Sequence, residues 1–345
     1  MNKRDILVSK SQLDWAEYNP TGLKPSMIWR RMNHHGHRYY FAEKDGEILI
    51  ACGITTAIDR AFGESKFLRE WKDSRPNWKE QLQLMADYGT LCHIGFGYLC
   101  KGEAIPKYLI EIADETFHKK EQFKKDMNSL KRFLQDYEVE VFFLEGILGT
   151  HYPTPYGSAY ICSAIDMFCK LTVTVTEETM VEDGIYERGG TVNKKGDIKY
   201  KKVRTETRKQ VFGIVDLKSN YEHKDEKSFF ESHKYQLIFG RKLISQYFDK
   251  SEEEIQMFNL SPLGWNKEPK YELKEHFDKE NRFGFTDQQR LEARLNIAVM
   301  EGLVTPSGEM MEISDVIDPK ADFDYRILRY EDKARETLND LSKDV

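Results

Sequence analysis

The segment QVFGIVDLK, residues 210–218, puts an aspartate and a lysine at the end of an otherwise apolar run. Val211, Phe212, Ile214 and Val215, with no polar alternation among them, predict a short strand over 210–217, buried on both faces and central in a sheet. In such a strand Asp216 and Lys218 project from one face. Leu217 points the other way, into the core, and its carbonyl remains free to ligate. Two charged groups at the end of a buried strand are costly unless paired or bound to an ion. The plainer alternative is a strand-end salt bridge, since Asp-x-Lys alone is a common tripeptide.

Upstream, Asp166 is again a charge inside an apolar strand, SAIDMF at 163–168. If the two strands are neighbours, Asp166 and Asp216 can converge on one hard cation, and carboxylate oxygens suit Mg²⁺ or Mn²⁺. Otherwise Asp166 is a buried carboxylate held by backbone N–H groups. His93 ends YGTLCH, 88–93, within a stretch of helical spacing over 78–99 that Gly89 interrupts. A missing side chain there suits close packing or a substrate. A lone histidine on such a face is either a ligand or a satisfied core residue. Glu145 follows Phe142, Phe143 and Leu144 and needs a partner, for which water at a metal is one candidate. Gln236, in HKYQL at 233–237, could bond Asp216 or Lys218 or contact phosphate, or be a solvated helix residue.

Around this constellation the periodicity predicts a mixed α/β fold. Residues 38–50 read as two strands about a Lys-Asp-Gly turn, and 65–71 as a helix. Residues 106–135 form one long helical stretch, and 138–148 and 156–175 are strand regions. The charged segment 177–209, acidic then basic and punctuated by glycines, is expected to be an inserted hairpin or mobile flap. A helix over 228–248, strands at 254–260 and 270–273, and helices at 287–301 and 333–341 complete the chain. The domain reading is an N-terminal extension (1–80), a core (81–273) and a C-terminal helical extension (274–345).

With 345 residues, 40% hydrophobic and 32% charged, the chain can bury a real core. No apolar run approaches the roughly 18 residues of a membrane helix, and Met1-Asn2-Lys3-Arg4-Asp5 lacks a secretion signal's apolar stretch. No membrane association and a cytoplasmic location (host cytoplasm for a viral chain) are expected. Five scattered cysteines without Cys-x-x-Cys spacing make a poor disulfide or zinc framework and are read as reduced. A net charge of -6 argues against wholesale phosphate coating, though a local basic groove can still hold nucleic acid. No nucleophile elbow, phosphate-binding loop or HExxH motif supports a different hydrolase.

The ordered set Gly89-Thr90-x-x-His93, Glu145, Asp166, Asp216-x-Lys218 and Gln236 resembles the PD-(D/E)XK nuclease superfamily, and within it the RecB-like and viral recombination exonuclease branch. Ile54-Thr55-Thr56 followed by Phe67-Leu68-x-x-Trp71 looks like the opening segment of viral members. The resemblance covers roughly 38–273. It implies a restriction-endonuclease-like core, a central mixed sheet flanked by helices, and a Mg²⁺- or Mn²⁺-dependent DNA nuclease, with exonuclease the expected mode, serving recombination, repair or processing. Asp166 and Asp216 would be the main metal ligands, helped by the Leu217 carbonyl and by His93. Lys218 would position or activate water and stabilise phosphate charge, Glu145 would hold or polarise water at the metal, and Gln236 would orient the site. Three departures stand out. Gly240 occupies the tyrosine position of the family's Gln-x-x-x-Tyr motif. Fifty positions separate Asp166 from Asp216. No cysteine follows Cys169, so the iron–sulfur cluster of some relatives is expected to be absent. The expected partner is DNA, with a homo-oligomer or a recombination protein left open. The rival reading is a catalytically silent DNA-binding or assembly subunit that keeps the fold.

Overall fold

The computed structural model describes residues 27, 29–34, 37–45, 47–154, 157–185 and 198–304. The expected helix at 333–341, most of the hairpin's glycines, and the chain ends at 1–26 and 305–345 lie outside the described residues. In chain order the elements are β1 (Arg30–His34), β2 (His37–Lys44), β3 (Glu47–Gly53), α1 (Ile54–Phe62), α2 (Lys66–Asp73), α3 (Trp78–Cys100), α4 (Lys107–Glu115), α5 (Lys120–Asp136), β4 (Glu140–Thr154), β5 (Gly157–Ile185), β6 (Ile198–Leu217), α6 (Glu231–Phe248), β7 (Ile255–Leu263), β8 (Lys270–His276) and α7 (Asp287–Met300).

Among the described residues the strands form one mixed sheet of eight, in the order β1-β2-β3-β5-β6-β7-β8, with β4 paired to β5. The β3–β5 and β6–β7 pairs are parallel and the rest antiparallel. Helices cover both faces. Leu91 of α3, Leu109 of α4 and Leu130 of α5 pack with Val215 and Leu217. Ile58 of α1, Leu243 of α6 and Leu295 of α7 pack with Ile214 and Phe168. Successive residues of β6 therefore enter opposite cores, which is why its run is apolar without alternation. Each such side chain contributes about 1.5–3 kcal/mol by leaving water. The expected mixed α/β sheet flanked by helices is what forms.

The described parts of the charged segment 177–209, residues 177–185 and 198–209, are paired strands that continue the core strands. The β5–β6 ladder runs from Met167↔Val215 out to Ile185↔Ile198, so the strand expected at 210–217 is the inner end of a 20-residue one. The stretch 106–135 is two helices, not one. The chain turns at His118 (φ 53), and the Lys119 N–H reaches back 2.8 Å to the Ala113 carbonyl. No glycine or proline marks this break. Segment 54–62, rich in β-branched residues, is helical because Ile54, Ala57 and Ile58 sink into the core on one face. The five cysteines are free thiols. Among the described residues no helix is long and apolar enough to cross a membrane.

One buried acid lies between α3 and α5. Asp126 is fully buried and accepts a 2.6 Å hydrogen bond from the Tyr88 hydroxyl. Burial pushes its carboxyl up from 3.8 to about 7. A carboxyl raised on folding stabilises the fold at acid pH, and that contribution is lost as pH climbs from 3.8 to about 7. Asp126→Asn keeps an acceptor for Tyr88 without the charge. It should raise stability at pH 8 by about 1–3 kcal/mol and flatten the decline between pH 5 and 8. Chemical denaturation at the two pH values measures both effects.

Candidate metal centre

The site lies where the end of β6 and the first half of β5 meet α3. Asp166 and Asp216 stand on neighbouring strands, just past the Met167↔Val215 pair. One Asp166 oxygen accepts the Leu217 N–H at 2.8 Å, which fixes the carboxylate beside the strand end. Glu145 comes from β4. Its neighbours Leu144 and Gly146 face Met167 and Ile165, so Glu145 falls opposite Asp166. It does so with a left-handed backbone (φ 49), unusual for a residue with a side chain. Two carboxylates face to face, one on a strained backbone, are held there by the surrounding fold at a cost to stability.

His93 enters from α3. Nδ1 lies 3.0 Å from Glu145 Oε1 and 3.9 Å from Asp166 Oδ2, and Nε2 lies 3.1 Å from the Leu217 carbonyl. Oxygens face both ring nitrogens, so both donate and the ring is an imidazolium. Burial pulls its pKa down, but Asp166 and Glu145 outweigh burial and raise it to about 9. Burial, with Glu145 and Asp216 adding and His93 opposing, pushes Asp166 up to about 7. His93, Glu145 and Asp166 each offer one ligand atom, and these atoms all lie within 4.8 Å of one another.

Asp216 is held differently. One oxygen takes the Lys218 ammonium at 2.8 Å, and the other takes the amide of buried Asn259 on β7, its register partner. Burial would lower the Lys218 pKa, but Asp216 and Asp166 outweigh it and raise it. Gln236, on α6, lies 3.5 Å from the same ammonium through Oε1. The structure thus brings together every residue expected at the site, in two coupled groups: the His93, Glu145 and Asp166 trio, and Asp216 with Lys218 and Gln236. Asn259 is the residue that sequence reasoning missed. Its one signal was an asparagine inside the buried run of β7.

No known protein family, curated protein or solved structure matches the chain.

The donor set suits a hard divalent cation. It combines carboxylate oxygens with one imidazole. Three carboxyl groups (Glu145, Asp166, Asp216) face two cations (His93, Lys218), and a metal would favour the charged form of Asp166 that burial disfavours. Two glycines shape the surroundings. A Cβ on Gly89 would sit 3.2 Å from Ser219 Oγ, so α3 passes close against the segment after Lys218. A Cβ on Gly240 would run into Ile214 and Ile165, so this position packs α6 onto the sheet and leaves no room for a tyrosine.

Proposed function

We propose that this chain is a divalent-metal-dependent DNA nuclease of the PD-(D/E)XK type. The observation that carries the reading is the convergence of a metal-competent His93, Glu145 and Asp166 trio with the Asp216-x-Lys218 strand end. They come from a helix and three strands widely separated in sequence. A bound Mg²⁺ or Mn²⁺ would supply Lewis acidity toward a phosphodiester. Glu145, Asp166 and the Leu217 carbonyl would hold it together with His93, whose ring would first give up one of its two N–H protons. Lys218 presents a fixed positive charge for the phosphate oxygens, in a partly shielded site where that charge is worth more than in water. Asp216, Asn259 and Gln236 fix where the ammonium points.

One observation favours the rival reading of a silent DNA-binding or assembly subunit. Both Asp216 oxygens are already taken, by Lys218 and Asn259. Plasmid and end-labelled linear DNA, incubated with Mg²⁺, Mn²⁺ or EDTA and resolved by size, separate the two readings. The nuclease reading expects metal-dependent cutting, and mononucleotides from linear DNA alone would make it an exonuclease.

Residues 180–206 carry seven Lys or Arg against five Asp or Glu, so the hairpin brings little net charge to DNA. Arg204 is spent on Glu178 at 2.8 Å and Arg208 on Glu138 at 3.3 Å. Deleting 180–206 should change the slope of log affinity against log salt by less than about one charge, measured by titration at several salt concentrations.

A further inference from the structure

Lys227, in the loop between β6 and α6, is a half-buried lysine whose ammonium meets no carboxylate. Among the described residues its Nζ makes one hydrogen bond, 2.9 Å to the Ser219 carbonyl, and has no acid within ion-pair distance. The loop as a whole is acidic, with Glu222, Asp225 and Glu226 against Lys224 and Lys227, but those three acids are exposed. Glu222 pairs with Lys224. The Glu272 carboxylate of β8 takes the main-chain N–H of Lys227 at 3.3 Å, not its ammonium. Burial lowers the Lys227 pKa, and Lys218 and Lys224 lower it further against Glu222. An ammonium drawn out of water without a counter-charge is costly, and an anion from outside the chain would relieve that cost.

The loop does not need this ammonium to hold its shape. The Gln122 amide of α5 bonds the Asn220 and Tyr221 carbonyls at 2.9 and 3.0 Å. The Asn220 side chain bonds the Lys224 carbonyl at 2.7 Å and takes the Lys224 N–H at 3.2 Å. The Gly264 N–H reaches the Lys224 carbonyl at 2.9 Å.

Lys227 stands beside the metal centre. Its partner Ser219 follows Lys218, and Ser219 Oγ lies against α3 at Gly89, where a Cβ would come within 3.2 Å. Gly89 and His93, four apart, share a face of that helix. On α6, His233 precedes Gln236 by one turn. Burial, then Lys218 and Lys227, push the His233 pKa down to about 3, so its ring is neutral beside both ammoniums. Its Nδ1 accepts the Phe230 N–H at 3.3 Å, which leaves the proton on Nε2 as a neutral donor in the same field.

We propose that the Lys227 ammonium binds a phosphate of the DNA strand, next to the phosphate held at the metal centre. The proposal rests on the nuclease reading for its substrate, but its test does not require cutting. Successive phosphates put negative charge on both sides of the bond to be cut, and a second cation beside Lys218 meets the neighbouring one. An internal diester and a terminal monoester offer the same oxygens.

The test is the fluorescence anisotropy of a 3′-labelled DNA duplex, with and without a 5′-phosphate, titrated with the full chain at several salt concentrations in Ca²⁺ and in EDTA. Lys227→Gln keeps a donor for the Ser219 carbonyl and removes the charge. It should bind about fivefold or more weakly near physiological salt, and the slope of log affinity against log salt should fall by about 0.9. Lys227→Arg should restore the slope. An equal loss on both duplexes upholds the proposal with an internal diester, and a loss confined to the phosphorylated duplex upholds it with the terminal monoester. The proposal is overturned if Lys227→Gln keeps the parent's slope and binds within about twofold of it (the spread of ordinary surface changes). It is equally overturned if Lys227→Arg loses the slope as Lys227→Gln does, or if the parent binds neither duplex in either condition. A lowered slope in Lys227→Gln, with no cutting by the parent in Mg²⁺, would uphold the phosphate contact and reject the nuclease. An unchanged slope with cutting by the parent would do the reverse.

Discussion

Lys218→Ala abolishes cutting: cleavage in Mg²⁺ falls by at least about 10²–10³-fold, the cost of removing one preorganised charge from a reaction site. Metal-dependent DNA binding stays within a few-fold of the parent. Lys218 is one cation, its ammonium is held by Asp216 and Gln236, and its proposed role is to meet charge that develops during the reaction. Loss of cleavage with binding retained is the signature of such a group. The variant leaves Asp216 with the Asn259 amide, so Asp216 keeps one partner. Circular dichroism and Mn²⁺ binding check that the fold survives. A variant that still cuts would remove Lys218 from the chemistry.

Asp166→Asn separates stability from function. In the metal-free chain, burial, Glu145 and Asp216 all disfavour the Asp166 carboxylate. The asparagine oxygen can still accept the Leu217 N–H that Asp166 accepts now. Without metal, the variant should therefore melt at a higher temperature at pH 8, by about 2–4 °C per kcal/mol gained. Added Mn²⁺ should stabilise the parent by about 2.7 kcal/mol at a hundred times its dissociation constant and the variant hardly at all. Differential scanning fluorimetry with and without Mn²⁺ reads both. Equal metal-induced shifts in the two proteins would mean that Asp166 is not a ligand.

Much of this centre was legible because its residues violate their surroundings. Asp166 and Asp216 are charges in apolar strands, and Glu145 follows three apolar residues, so each demands a partner that the fold supplies. Asn259 was hidden for the converse reason. A neutral amide in a buried strand announces nothing until β7 is known to lie beside β6. Nor does sequence reveal that Glu145 adopts a left-handed backbone where it faces Asp166.

Apolar periodicity located most elements, but not the outer reach of β5 and β6. There both faces are polar, and cross-strand pairs such as Glu178 with Arg204 replace apolar alternation. Helix α1 was missed because its β-branched residues favour strands locally, while packing of Ile54 and Ile58 decides otherwise. The break between α4 and α5 falls at a histidine, which sequence alone does not flag.

The proposed reaction is metal-dependent hydrolysis of DNA at the His93, Glu145, Asp166, Asp216 and Lys218 cluster. The most direct measurement is the release of acid-soluble nucleotides from uniformly labelled DNA by the purified full chain, with Mg²⁺ or Mn²⁺ and with EDTA. Release is expected with either metal and none in EDTA. Intact DNA in all three conditions, or release that persists in EDTA, would contradict it.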